Sequence, residues 1–491
     1  MKILVSGASG YVGSKLIPLL VQAGHEVTAM ARQNLKTLSL PPTVRVVIAD
    51  ATQAESLADA MRGIEVAYYL IHSMSAAEGD FQERDLKAAE NFATAARNAG
   101  VARLIYLGGL VSSTSEMSEH LRSRQETGEA LRKFGPALTE FRAGIIVGNG
   151  SVSFELIRCL TERLPVMICP RWVITRTQPI AIEDVLAYLR AALQTPESEG
   201  QIIEIGGSTI ETYRSMMLTS ARARGLRRWL IRVPILTPRL SSYWLRLVTP
   251  IPSSIARPLI EGLRTEVVCK SDKAAQLFPA IRPMAYEDAI HKTLNRALPD
   301  QTMRDAIPRE PAHVFARREG VLCDVRQETT EATPAELFGV LTRLGGANGY
   351  LYANNLWRIR GLIDQWFGGA GMKNVPDRKS LSASDSFDFW YVQELDADRR
   401  LLLRAAMRMP GRAWLEFILA PAPHGKTLFR CCAWYEPRGL LGELYWWTLY
   451  PVHILIFRGL VRAVSRKALS ARREKAKFSP ALIPGAEKAQ R

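Results

Sequence analysis

Apolar residues in the first 150 positions gather into short runs, and the stretches between those runs carry apolar residues three and four apart. Lys2–Ser6, Glu26–Ala31, Arg45–Ala49, Val66–Ile71, Arg103–Leu107 and Leu138–Ile146 read as strands, and segments such as Gly13–Ala23 and Phe81–Ala99 read as helices. Strand–helix alternation at this pitch predicts an α/β fold, a doubly wound parallel sheet with helices on both faces. Gly24 and Gly100 stand where helix C-caps belong. Pro18, inside the first helix, removes a hydrogen bond and predicts a kink.

The pattern loosens across 200–299 into mixed strands and helices with many prolines, which suits a substrate-facing lobe of the same domain, 1–299. Positions 300–320 are proline-rich, charged and aperiodic, and read as the linker. Strands then follow one another: Leu322–Thr329 and, past a short helix at Pro334–Leu344, Ser386–Val392, Leu401–Met407, Trp414–Leu419 and Leu428–Tyr435. A long apolar helix runs from about Leu440 to Leu469. Antiparallel strands closed by one long helix predict an α+β helix-grip domain over 321–470, with 471–491 as a basic tail.

Composition narrows the class. The 491 residues exceed one ordinary domain of ~100–200 residues. Hydrophobic content of 47% with 23% charged is globular and excludes disorder. The six cysteines show no CxxC spacing, so no zinc site or disulfide frame is expected, only the reduced thiols of a cytoplasmic protein. Glycines interrupt the apolar start MKILVSGASG, which argues against a signal peptide. The net charge of +16 is uneven: nine arginines and no acid lie between Glu211 and Glu261, and ten basic residues face two acids across Arg458–Arg491. Each excess is either a solvated basic face or a surface that meets lipid, phosphate or an acidic partner.

The strongest chemical signal is Gly7-Ala8-Ser9-Gly10-Tyr11-Val12-Gly13, which follows the first strand and opens the first helix. In that context Gly7 permits a tight turn, Gly10 lets backbone amides approach a diphosphate, and Gly13 lets helix pack on strand. The second strand ends Ala31-Arg32-Gln33, without the acid that holds ribose hydroxyls in NAD binders. Arg32 is placed to pair with a 2′-phosphate, so NADP(H) is the expected cofactor and NAD(H) the alternative. Asp50, after the third strand, is expected to reach the adenine. Leu70 and Ile71, opening the stretch Leu70–Met74, are expected to form the nicotinamide-side wall, with Ser9, Tyr11 and Val12 completing the cofactor set.

GASGYVG, Ile48–Asp50 and Asn98–Leu110 together resemble the atypical short-chain dehydrogenases, a group that includes NmrA-like regulators and the 39-kDa accessory subunit of respiratory complex I. The resemblance covers roughly 1–299 and includes Arg142–Gly148, which is similar to the strand and glycine turn after the active-site helix. The two-part layout looks like a bacterial family in which this domain is fused to one of unknown function. Pro410–Phe417 and Pro437–Trp446 resemble that second domain, itself similar to the polyketide-cyclase and lipid-transfer class.

The active-site pattern departs from the one the resemblance implies. Gly108-Gly109 stands at the serine position, and His120 and Arg124 stand where tyrosine and lysine belong. Histidine, with an unperturbed pKa of ~6.5, is a competent proton donor. Hydride transfer from NADPH to a hydrophobic carbonyl or quinone-like substrate, with His120 as acid, is the expected chemistry; shaping the pocket is the alternative role of His120 and Arg124. Two other functions stay open: a non-catalytic NADP(H)-binding regulator or assembly factor, and a lipid-binding protein with a redox-sensing domain.

Trp229–Pro252 mixes arginine with aromatics but carries no reader motif, so nucleic acid is not an expected partner. A hydrophobic small molecule with an acidic end is. Leu440–Val464 nearly has the length of a membrane span, but Glu443, Pro451, His453, Arg458 and Arg462 argue against one. It reads first as a core helix, and second as a helix on a membrane surface, which would make the protein peripheral to the inner membrane.

Overall fold

The computed structural model describes residues 1–32, 40–71, 81–110, 119–233, 262, 265–305, 307–369, 371–372 and 381–478. They form two compact units, Met1–Ala306 and Ile307–Arg491.

The first unit is built on seven parallel strands: β1 (Lys2–Ser6), β2 (Glu26–Ala31), β3 (Arg45–Ile48), β4 (Val66–Tyr69), β5 (Arg103–Gly109), β6 (Ala137–Ala143) and β7 (Ile202–Ile205). Their spatial order is β7-β6-β5-β4-β1-β2-β3. The two-residue period of the strands feeds two separate cores. Ile3, Val5, Tyr68, Ile105 and Phe141 pack with α1 (Tyr11–Gln22) and a helix at Ile182–Ala191. Their neighbours Leu4, Tyr69, Leu104 and Tyr106 pack with α2 (Phe81–Asn98) and α3 (Glu119–Phe134). This is a Rossmann-type doubly wound sheet. The order reverses between β1 and β4, and ligands of such sheets bind at that crevice. Gly24 and Gly100 cap their helices with φ of 83° and 75°, and Pro18 is accommodated within α1.

The second unit has seven antiparallel strands: β8 (His313–Arg318), β9 (Val321–Thr330), β10 (Ser386–Phe387), β11 (Trp390–Asp396), β12 (Arg400–Ala405), β13 (Gly411–Pro421) and β14 (Thr427–Pro437). They pair in the order β8-β9-β14-β13-β12-β11-β10. Helices α4 (Pro334–Leu341), α5 (Asn354–Trp366) and α6 (Gly439–Phe478) cover one face. Thr333 caps α4, accepting from the Glu336 amide at 3.3 Å while the Glu336 side chain accepts from the Thr333 amide at 2.9 Å. The result is a helix-grip arrangement.

Several expected boundaries shift. The 300–320 segment is not a bare linker: it holds a helical turn at Gln301–Asp305 and the edge strand β8, whose residues pair along the whole of Val321–Arg326. Helix α6 continues to Phe478, into the expected tail. Ser386–Val392 is two strands joined by a tight turn, in which Asp388 takes φ 46° and accepts hydrogen bonds from Tyr350 Oη at 2.8 Å and the Gly346 amide at 3.1 Å. Leu138–Ile146 is also two strands. β6 ends at Ala143, and Ile146–Val147 leaves the sheet to pair with Ile180–Ala181. Gly144 makes the break, since a Cβ there would lie 3.2 Å from the Gln178 carbonyl oxygen.

Candidate active site

A cleft of about 500 Å³ opens at the reversal of strand order, along the carboxyl ends of β1, β2, β4 and β5. Gly7 takes φ 68° and sits so close to the Leu70 carbonyl that only glycine fits. A Cβ on Gly13 would strike the Gly7 carbonyl, so this residue seats α1 on the end of β1. The turn closes with Gly10 N–H donating to Gly7 O at 2.9 Å.

The start of α1 borders the cleft through Gly10, Tyr11 and Val12. Gly10 is its N-cap and has no side chain to cap it, the first turn holds no acid, and the first helical bond to the cap is Ser14 N–H to Gly10 O at 3.0 Å. A helix N-terminus at a cleft, with no acid in its first turn to compensate the dipole, suits a diphosphate. Ser6 ties the crevice together: its buried hydroxyl donates to Tyr68 O at 2.8 Å and accepts from the Leu70 amide at 3.3 Å.

Of the cofactor residues expected from sequence, Gly7, Ser9, Gly10, Tyr11, Val12, Arg32, Asp50, Leu70 and Ile71 line this one cleft, and Gly13 lies beneath the turn. His72, Ser73 and Met74 fall outside the described residues. Burial opposes ionisation of Asp50, but two hydrogen bonds from Thr52, at 2.9 and 2.8 Å, and the charges of Arg32 and Arg84 outweigh it. Its carboxyl is held below the usual range.

Arg84 was not legible as a site residue. It comes from the first turn of α2 and lines the cleft with Arg32, so two guanidiniums flank one carboxylate. Tyr213 and Ser153, also unanticipated, line the far end beside Leu121, Ile145 and Val267.

The expected catalytic pair divides. The backbone of His120 lies in the first turn of α3, while its side chain falls outside the described residues. Arg124 lines the cleft; its Nη1 donates to Leu107 O at 2.9 Å, and its own carbonyl accepts from Tyr106 Oη at 3.0 Å. Arg124 thus ties α3 to the end of β5, and its buried Nε finds no partner among the described residues. Gly109 makes the approach possible, since a Cβ there would meet Leu121 at 3.3 Å and Arg124 at 3.8 Å. Of the basic lobe Trp229–Pro252, only Trp229–Val233 is described, and 234–252 lies outside the described residues.

A doubly wound sheet with a glycine turn at its reversal point is the arrangement of a dinucleotide-binding domain, and it resembles that of the atypical short-chain dehydrogenases. The comparisons agree. Residues 7–143 match the NAD(P)H-binding family model, and residues 318–460 match that of DUF2867, a protein family of unknown function. The chain therefore joins an NAD(P)H-binding domain to a DUF2867 domain.

Among curated relatives, it is 31% identical over 114 residues to a 3-beta-hydroxysteroid dehydrogenase of Mycolicibacterium neoaurum, a match covering 21% of this chain and only 31% of that protein. It is 23% identical over 240 residues to the photosystem II assembly factor Ycf39 of Cyanophora paradoxa, covering 48% of this chain and 72% of the relative. Among solved structures, the triphenylmethane reductase of Citrobacter sp., complexed with NADP(H), superposes with a TM-score of 0.49 at 18% identity, over 60% of this chain and all of that one.

Proposed function

We propose that the protein is an NADP(H)-dependent oxidoreductase acting on a hydrophobic carbonyl or quinone-like substrate. The observation that carries this reading is the continuity of one cleft, from the glycine turn and the Arg32–Arg84 pair to an apolar wall of Leu121, Ile145 and Val267. In this reading the α1 amides hold the diphosphate, Arg32 and Arg84 hold the 2′-phosphate, and Asp50 faces the adenosine end. Bound there, the nicotinamide supplies the hydride. Leu70 and Ile71 form its wall, and the apolar lining excludes water from the reacting face. Arg124 fixes α3 against β5, and His120, one turn earlier on the same helix, is in this reading the proton donor to the substrate oxygen. A hydrophobic substrate also accords with the steroid named for the Mycolicibacterium relative.

A specific observation favours a second reading, a non-catalytic NADP(H)-binding assembly factor or regulator. The serine position is Gly108-Gly109, and one Arg124 nitrogen is already committed to the Leu107 carbonyl. The Cyanophora relative, a photosystem II assembly factor, is of this kind.

The two readings separate on turnover. NADPH oxidation by the full chain is measured across hydrophobic quinones, enones and ketones, with His120→Ala alongside. The oxidoreductase reading expects oxidation with at least one acceptor, and a loss of about 10²–10⁴-fold in His120→Ala. NADPH binding with no oxidation across the panel selects the assembly-factor reading.

A further inference from the structure

The second unit carries an apolar surface that its own core does not use. Helix α5 turns Trp357, Gly361 and Asp364 inward, and leaves Ile359, Leu362, Ile363, Trp366 and the following Phe367 exposed, Trp366 by 88%. Helix α6 does the same over four turns, with Leu441 exposed by 73% and Leu444, Val452 and Leu455 also outward. At 100° per residue these four positions share one helix face, and Arg458, Arg462 and Arg466 continue that face as exposed cations. The two helices touch, with Arg360 Nη2 donating to Tyr445 Oη at 2.8 Å and the Trp357 and Phe457 rings 6.4 Å apart. Partly exposed aromatics gather beside α6, where the Trp447 ring lies 5.4 Å from Phe315 and 5.5 Å from Tyr450.

Charge decides what covers this surface. Between Gly439 and Arg473 the chain has one acid, Glu443, and it is ion-paired with Arg317. The one acid of α5, Asp364, is buried, accepting from the Gly371 and Arg408 amides at 3.0 and 2.8 Å. Neither outward face therefore offers a negative group. A second copy docked by two-fold symmetry would bring the same patch, which holds no acid to pair with these arginines. An anionic bilayer instead accepts leucine and tryptophan at the acyl boundary and arginine at the headgroups. No described helix is long and apolar enough to cross a membrane, so the contact is interfacial.

We infer that α5 and the first half of α6 seat the protein on the surface of an anionic phospholipid bilayer, their apolar faces in the acyl boundary and Arg458, Arg462 and Arg466 on the headgroups.

The test is co-sedimentation of the full chain with vesicles of pure phosphatidylcholine or of phosphatidylcholine with 40% phosphatidylglycerol (about equal to an anionic leaflet in effect). Binding is expected to the anionic vesicles only, and to weaken in 0.5 M salt (about a 4 Å screening length). At about 1 kcal/mol per cation, Arg458→Gln with Arg462→Gln and Arg466→Gln lowers the partition coefficient on the order of 100-fold. Leu362→Glu with Leu441→Glu abolishes binding. Unchanged circular dichroism and melting of both variants establish that they fold. Equal binding to both vesicles, or none, overturns the inference. So does a wild-type dimer in light scattering that Leu362→Glu with Leu441→Glu dissolves, because the face would then belong to a second copy.

Discussion

If Arg32 and Arg84 hold a 2′-phosphate as proposed, removing the two guanidiniums weakens NADPH and spares NADH. Arg32 and Arg84 line the cleft at the end of β2 and the start of α2, and both lower the Asp50 carboxyl, which places them in one electrostatic neighbourhood. In the proposed binding mode NADH would present that neighbourhood with a hydroxyl, and NADPH with a phosphate. A charge-assisted hydrogen bond is worth about 1.5–3 kcal/mol. Both side chains are exposed to water, so the lower figure applies, about tenfold in Kd for each. Arg32→Ala or Arg84→Ala is expected to weaken NADPH about tenfold, and the pair about 100-fold if the two add. NADH should stay within about threefold in all three variants. Calorimetric titration of both dinucleotides at low and high salt reads this out, and the preference for NADPH should shrink as salt rises. Equal wild-type affinities for the two dinucleotides, or an unchanged NADPH affinity in the double variant, would refute the assignment.

Gly13→Val sets a branched side chain against the Gly7 carbonyl, which is backbone and cannot yield without opening the turn. Overpacking of this kind costs about 1–3 kcal/mol of stability, and dinucleotide affinity should fall more than about tenfold, measured by the same titration. His453 gives the second unit a pH dependence. Burial, helped by Arg360, lowers its pKa to about 4. The unfolded chain takes up this proton below about 6.5, so stability is intact above that value and is lost as pH falls from there toward about 4. The loss is at most about 3 kcal/mol. Urea unfolding at several pH values should show that slope in the wild type and a flatter one in His453→Phe. Equal slopes would mean the imidazole titrates alike in the folded and unfolded chain.

How far the sequence could be read followed from where each signal resides. The glycine turn is local, seven consecutive residues whose roles depend only on the strand before and the helix after. The strands of the first unit were legible because their alternate residues serve two cores and are nearly all apolar. Strand ends were less so: apolar residues continue past Ala143 after the sheet has stopped, and only Gly144 marks the break. Strand β8 reads as linker in the sequence because its exposed positions dilute the alternation. Helix α5 carries apolar residues at helical spacing, Ile359, Ile363 and Trp366, but that stripe faces outward and the inward row is Trp357, Gly361 and Asp364, so periodicity alone points to the wrong face. Arg84 and Tyr213 enter the cleft through tertiary packing, and no spacing rule connects them to Gly7 or Arg32.

Thermal unfolding of the full chain with saturating NADPH tests most directly whether the start of α1 holds a dinucleotide diphosphate. At 100 times Kd the ligand adds about 2.7 kcal/mol to the native state, which should raise the Tm of the first unit by roughly 5 °C. A Tm unmoved by NADPH, NADP+, NADH and NAD+ alike would contradict it.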